Sequence, residues 1–538
     1  MNGRLLSKLL SLVAMLIGGS MAFSLPWAVI EGGWEHERQG FFGLLGAIAA
    51  CFVVAAALRH FGRRAQGRLF RKEAMAVVGL SWILATVLGG LPYLLSGTCR
   101  APGVPMSVVD AMFEAQSGFS TTGATVLTEL EDPALVPRCI LFWRSSTHFL
   151  GGLGIIVLFV AILGQGSAGK ALMRAEMPGP SHSTPQARMQ HTAWILFLIY
   201  VALNGSLTVL LLAQGLSLFD ALCHAFGTMA TGGFSTYNAS IGHFTTDPAL
   251  DGTRIEMTIV LFMLFAGTNF MLLYCVVIGQ AGRVLRDVEW RTYVAVILVA
   301  TACVVTVGLA FFPQDFDEYG TADTPVNGGT ATADDPYPVL RAVRFGLFQV
   351  VSIMTTTGFC TDEFDQWNSF ACGVLLVLMF VGGCAGSTGG GLKVIRHVLF
   401  VKILRLEIER AYHPRVVRPL RLGGEVVEDQ ELRRNVLVYF GLILAIFVFS
   451  WLFTITLEPD TTWTEHGHYP EHKLRDAAGC VAATLNNIGP GLGVIGARHS
   501  YSNFSPWTKG LFLLLMMLGR LEIFVILVLF VPGFWRSQ

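Results

Sequence analysis

An Asp-Ala pair with a Gly at one fixed spacing beyond it occurs three times in this chain: Asp110-Ala111 with Gly123, Asp220-Ala221 with Gly233, and Asp476-Ala477 with Gly489. A fourth segment keeps Thr356-Thr357-Gly358 against Thr121-Thr122-Gly123 of the first, but has Phe345-Gly346 where the Asp-Ala would be. Each segment reads as a helix of about ten residues, too short to cross a bilayer. Each then runs into a Gly-containing hairpin and a long apolar stretch. Irregular backbone at membrane depth is tolerated only where protein buries it or it lines a watery path. Four such segments predict four units around one axis.

The membrane itself follows from composition. With 53% hydrophobic and 14% charged residues among 538, the chain carries more apolar surface than a soluble core can hide. Ten spans fit, at 5–30, 40–59, 74–96, 137–164, 193–214, 255–280, 292–312, 369–400, 436–457 and 507–534. Basic residues cluster in alternate loops: Arg59, Arg63, Arg64, Arg68, Arg71 and Lys72; Arg283, Arg286 and Arg291; and a run from Lys402 to Arg434. Cytoplasmic loops carry such an excess, which places both termini inside. The stretch from Pro313 to Leu340 has six acids and no Lys or Arg, and reads as outside. Net charge is zero, so nothing points to nucleic acid. Arg4 and Lys8 precede an apolar run that is too long for a signal peptide. The ten cysteines form no CxxC pair and imply no disulfide framework.

The expected fold is therefore an all-α polytopic membrane protein: four pseudo-symmetric units of span, half-helix, filter loop and span around a central pore, plus two extra N-terminal transmembrane helices. Boundaries are expected at 1–72 for the N-terminal pair and its basic loop, then 73–188, 189–287, 288–431 and 432–538 for the four pore units. Every unit starts on the same side, so the symmetry axis runs along the membrane normal.

A dehydrated cation needs oxygens in place of its water shell, and backbone carbonyls from several segments supply them. Gly permits the backbone angles that turn carbonyls inward. The candidate ion-binding filter is Thr121, Thr122, Gly123, Thr231, Gly232, Gly233, Thr356, Thr357, Gly358, Asn487, Ile488 and Gly489. The half-helices end deep and aim a partial negative charge at the centre; Asp110, Asp220 and Asp476 suit their N-terminal ends as caps. The copies differ. Asn486-Asn487-Ile488-Gly489-Pro490-Gly491 has no Thr, and Cys360 stands where Thr125 and Ser235 close the first two.

The run from Phe113 to Thr125, with Gly118-Phe119-Ser120-Thr121-Thr122-Gly123, resembles the first pore loop of the Trk/Ktr/HKT potassium-transporter superfamily, and within it the bacterial TrkH-type membrane subunit. Ala230-Thr231-Gly232-Gly233-Phe234-Ser235, Thr355-Thr356-Thr357-Gly358-Phe359 and the fourth loop resemble the others, and the likeness covers the whole chain. It implies K+ uptake across the bacterial inner membrane, with Gly at all four positions going with K+ selectivity. It also implies a homodimer and a cytosolic nucleotide-binding, RCK-type regulatory subunit, which would carry the nucleotide; no organic cofactor is expected on this chain.

Gly382 to Gly391 interrupts an apolar span with six glycines among ten small residues, which break a helix. A P-loop is excluded, because Leu392 stands where its Lys belongs. A small-residue packing face is the plain alternative. The resemblance implies an intramembrane gate instead, at Gly383, Cys384, Ala385, Gly386, Ser387, Thr388 and Gly389. Arg520 lies mid-span, where a charge costs about 2.5–3.5 kcal/mol, with Glu522 on another face. The resemblance makes it a pore-facing barrier to cations.

Other signals carry less. Gly491, Gly493 and Gly496 match GxGxxG but follow no strand, and His466, His468 and His472 lie in a loop without Cys. Arg144 and His148 fall within a span and need polar partners there. The alternatives are an H+- or Na+-coupled K+ symporter using the same site, a Na+-permeable transporter, or a membrane enzyme. The last lacks paired intramembrane acids, HExxH or GxSxG.

Overall fold

The computed structural model describes residues 1–30, 33–65, 70–152, 154, 186–312, 338–413, 420–422, 425–427, 430–464, 469–521 and 523–536. The acidic stretch 313–337, the end of the 137–164 span, Arg68, Glu522, His466 and His468 lie outside them. Helices dominate. The strands described are two antiparallel ribbons, Cys99–Ala101 with Val104–Pro105 and Leu420–Leu422 with Glu425–Val427.

Gly3–Met21 and Trp34–Gly62 form the N-terminal pair. Small residues let their backbones approach: a Cβ on Gly18 would lie 2.8 Å from Cys51, and one on Gly62 would lie 2.8 Å from the backbone of Lys8. A pattern of long helix, short helix and broken helix then runs through the chain. It begins with Arg71–Leu95, Val108–Phe119 and Arg138–Gly152, and continues with Gln186–Ala213, Leu218–Met229 and Gly252–Ala266. Val288–Phe311, Pro338–Met354 and Ser369–Leu378 follow, then Gln430–Leu457, Lys473–Leu485 and Pro506–Arg520. The short helices are buried among the others. The long ones turn Leu198, Leu298, Leu444 and Phe449 outward, where acyl chains would meet them.

Two of the expected spans are not straight. Among the described residues six helices are long and apolar enough to span, or seven with one bent pair counted as a span. The 255–280 span bends by 105° between Gly252–Ala266 and Phe270–Val277. Gly267 ends the first piece, and the Asn269 side chain caps the second by accepting from Met271 N at 2.8 Å. The 507–534 span breaks after Arg520, where Leu521 is extended, and restarts as Ile523–Leu527. The break expected only in the 369–400 span therefore recurs in the counterparts of the second and fourth units.

The third short helix has 17 residues, longer than expected from the repeat. Nor do the acids cap. Ser107 and Ser217 hold the cap positions, and Asp110 completes a capping box with Ser107 by accepting from its N–H at 3.2 Å. Serine suits this because its short side chain reaches a helix N–H while its own backbone stays extended. Asp476 lies a turn inside its helix and accepts from Arg475 and from Val494 N.

Candidate ion filter and gate

All four short helices end in one motif. In the first, Thr122 N donates back to Ser117 O and Thr121 N to Gly118 O; the pairs Gly232 to Gly227, Thr357 to Ser352 and Ile488 to Ala483 repeat it at 2.8–2.9 Å. This Schellman closure places its penultimate residue in the left-handed region, usually as Gly. Here that residue is Thr121, Thr231, Thr356 or Asn487, with φ between 53° and 60°. A β-branched residue there costs about 1–2 kcal/mol. Strain repeated in every copy marks a backbone shape the surroundings enforce.

Two residues on, each loop has its Gly, again at positive φ: Gly123 81°, Gly233 78°, Gly358 77° and Gly489 91°. A Cβ on Gly123 would strike the carbonyl oxygen of Gly232; on Gly233, that of Thr357; on Gly358, that of Ile488; and on Gly489, that of Thr122. The contacts run from first loop to second, third, fourth and back to the first. The twelve filter residues read from the sequence are thus brought into one closed ring. Glycine is required at four places because each is where the next loop's carbonyl arrives. All four glycines line a cavity of about 310 Å³ on the side of the residues that follow them, with Thr125, Ser235, Tyr501 and Arg498 in its wall.

The ring is buttressed by buried polar side chains. Glu114 accepts from Arg144 Nε at 2.6 Å, from Thr125 Oγ1 at 2.9 Å and from Val126 N at 3.0 Å. Phe234 N donates to His148 Nε2, so the proton is on Nδ1, which donates to Gly118 O at 2.8 Å. Arg144 and His148, on the Arg138–Gly152 helix, therefore do have polar partners, in the first and second short helices and the loops that follow them. Tyr501 spans the first and fourth loops, its N–H on Thr125 O and its hydroxyl on Gly489 O, both at 2.8 Å.

On the opposite side from the cavity lies the Gly-rich run. Gly390 N donates to Thr356 Oγ1 at 2.9 Å and Gly391 N to Gly519 O at 3.1 Å. Its other anchors sit at the bends of neighbouring broken helices: Cys384 N on Gly267 O, Thr388 N on Ala266 O, and Phe270 N on Gly386 O. Ser387 Oγ closes a turn onto Cys384 O, and Gly383 O accepts from Val394 N. Glu289 Oε1 accepts from both Ala385 N at 2.7 Å and Ile395 N at 3.1 Å, clasping the two stems. Arg520 donates to Thr388 O, Gly151 O and Gly152 O, and Lys393 to Gly389 O. Three ends of broken helices and one loop thus meet below the ring.

Glu289 and Lys393 were not singled out as site residues from sequence. Lys393 had the same signal as Arg520, a cation inside an apolar stretch. Glu289 had none, since an acid beside a span start reads as a helix cap. Arg498 lay in a loop with no pattern to mark it. Of the three histidines, His472 caps no ligand set, and the described residues hold no cluster of His, Cys, Asp and Glu fit for a metal.

Comparison with known proteins identifies the family. The TrkH family model, a cation transport protein, matches residues 44–537. The chain is 35% identical over 542 residues to the Trk system potassium uptake protein TrkH of Salmonella typhimurium and to that of Escherichia coli K12, with 100% of each chain covered. The potassium uptake protein TrkG of E. coli K12 is 30% identical over 93% of both chains. The crystal structure of the potassium transporter TrkH from Vibrio parahaemolyticus superimposes over 100% of both chains, with a TM-score of 0.79 at 31% identity.

Proposed function

The chain belongs to the TrkH family of cation transport proteins, and from that premise we propose that it is the ion-translocating subunit of a potassium uptake system of the bacterial inner membrane. K+ passes inward through the ring of Thr121 to Gly123, Thr231 to Gly233, Thr356 to Gly358 and Asn487 to Gly489. The observation that carries this is the cyclic closure, in which each loop's Gly admits the next loop's carbonyl. Carbonyls held at one level by four helix C-termini offer a dry cation the oxygens and the partial negative charge it needs. The four units, 73–188, 189–287, 288–431 and 432–538, each contribute one loop, with 1–72 outside the ring.

Residues 383–389 and Arg520 act as the gate. A half-buried guanidinium that donates to three carbonyls on the ion's path repels cations while it holds the loop shut. The basic inner face, with Arg283, Arg286 and Lys402, is where a cytosolic RCK-type regulatory subunit docks, and the chain works as a homodimer. The names of the Trk system relatives support a multi-component system.

The test is K+ and Na+ flux into proteoliposomes containing this chain, with and without the regulatory subunit, and Gly123→Ser in parallel. K+ should pass in preference to Na+, and the substitution should blur that preference. Equal passage of both ions in the parent would sink the filter assignment. A K+ flux that drives H+ or Na+ uphill would make it a coupled symporter through the same site.

A further inference from the structure

The four quadrants of the ring are braced differently. The same position of each short helix, nine residues before the filter Gly, holds Glu114, His224, Gln349 and Cys480, and two residues past the Gly stand Thr125, Ser235, Cys360 and Gly491. In the first quadrant Glu114 takes the Thr125 hydroxyl at 2.9 Å, and in the second His224 Nε2 lies 2.9 Å from Ser235 Oγ. In the third, Gln349 is wholly buried, and neither its amide oxygen nor its nitrogen has a hydrogen-bond partner. Cys360 turns its thiol to Gly358 O, at 3.7 Å, and the third loop is held by other groups: Cys360 N donates to Ser240 Oγ at 3.2 Å and Ser352 Oγ to Phe359 O at 2.6 Å. Neither Cys480 nor Gly491 has a hydroxyl to offer.

Arg144 joins the two braced quadrants. Its Nε is 2.6 Å from Glu114, its Nη1 donates to Ser235 O at 2.9 Å, and its guanidinium lies 3.5 Å above the Phe234 ring. The other face of Phe234 is stacked on His148 at 4.0 Å. One planar, always-charged group thus fixes the separation of the outer limbs of two adjacent loops, and it is 2% exposed. Guanidinium is suited to this because its rigid fork holds two acceptors at a set distance, which an ammonium cannot do.

We propose that Arg144, oriented by Glu114, is a specificity-determining positioning residue that sets the spacing of the first two filter loops. The proposal rests on the filter reading above. Oxygens held by a rigid brace cannot follow a smaller ion inward and leave it underbound, so the braced pair of loops discriminates between ions.

The experiment is Na+ competition against ⁸⁶Rb+ binding to the purified full-length chain, a readout that needs no open gate. Three variants are compared with the parent: Arg144→Lys, the double variant Glu114→Gln with Arg144→Gln, and Gly123→Ser. Arg144→Lys keeps the charge but reaches a single acceptor, and should lose preference for Rb+ by about tenfold; the double variant, which leaves no unpaired charge, should lose at least as much. If Arg144→Lys and the double variant keep the parent's preference while Gly123→Ser lowers it, the proposal is overturned and the filter stands. If Gly123→Ser is also silent, the filter reading falls and takes this one with it. Should the double variant not survive purification, an unchanged preference in Arg144→Lys overturns the proposal.

Discussion

Lys509 Nζ lies 2.6 Å from Asp110 Oδ1, and both side chains are almost fully buried. The two are nearly four hundred residues apart, one at the start of the last broken helix and the other in the first short helix. Lys509 also donates to Ser502 O at 2.7 Å, and Arg100 stands 3.5 Å from the same carboxylate. This pair fastens the end of the chain to the beginning of the ring.

Removing one partner of a buried pair leaves an uncompensated charge, at a cost of about 3–5 kcal/mol. Lys509→Met or Asp110→Asn alone should therefore lower thermal stability in detergent severely. The double variant should recover much of the loss. Strictly additive losses in that double-mutant cycle would show that the pair is not coupled.

Deleting 384–390 should raise basal ion flux in proteoliposomes, because the run joins the filter at Thr356 to the bends at Gly267 and Gly519. Flux equal to the parent's would remove this run as the obstruction.

Arg520→Ala should increase conductance and leave the K+ to Na+ preference unchanged. The side chain donates to the carbonyls of Thr388, Gly151 and Gly152, which lie outside the ring. A change in preference would mean that the filter and the gate are one site.

Thr231→Gly should raise thermal stability by about 1–2 kcal/mol, by relieving a left-handed β-branched residue. The hydroxyl it removes bonds only the neighbouring Ala230 O, at 2.6 Å. The same substitution should weaken ion preference, since a glycine no longer enforces one backbone shape. Unchanged melting would show that the surroundings, rather than the side chain, bear the strain.

The loop after the third short helix predicts a pH dependence. Burial, with Asp365 nearby, pushes the Glu363 carboxyl up to about 7, against the pull of Arg498, whose Nε is 3.0 Å away. Burial raises Asp362 as well. The folded state then holds a proton the unfolded chain has lost, so Glu363 contributes stability fully below its ordinary value of 4.5 and loses it as pH rises through 7. Melting temperature should fall across that window, and Glu363→Gln should flatten the fall. An identical slope in the variant would assign the dependence elsewhere.

Much of this was legible along the chain because it is local. The apolar content demands a membrane, and a short helix ending at a Gly demands an interior cavity. The recurrence of Gly123, Gly233, Gly358 and Gly489 identifies four loops. The Gly-rich run and Arg520 stand out against apolar neighbours. Spans were harder, because hydropathy does not register a bend: Gly267 to Asn269 and Leu521 look like ordinary positions until other backbone arrives to bond with them.

Sequence alone determined which residues enter the membrane and which four segments turn within it, since hydrophobicity and backbone freedom belong to the residues themselves. Tertiary structure decided the rest. That Thr121, Thr231 and Thr356 sit left-handed is contrary to their own preference, and only the neighbouring loops enforce it. That Gly123 faces Gly232 O and Gly489 faces Thr122 O, or that Arg144 finds both Glu114 and Ser235, depends on close approach between segments far apart in the chain. Such meetings are fixed by the packing of whole helices, because backbone polar groups away from water must find one another.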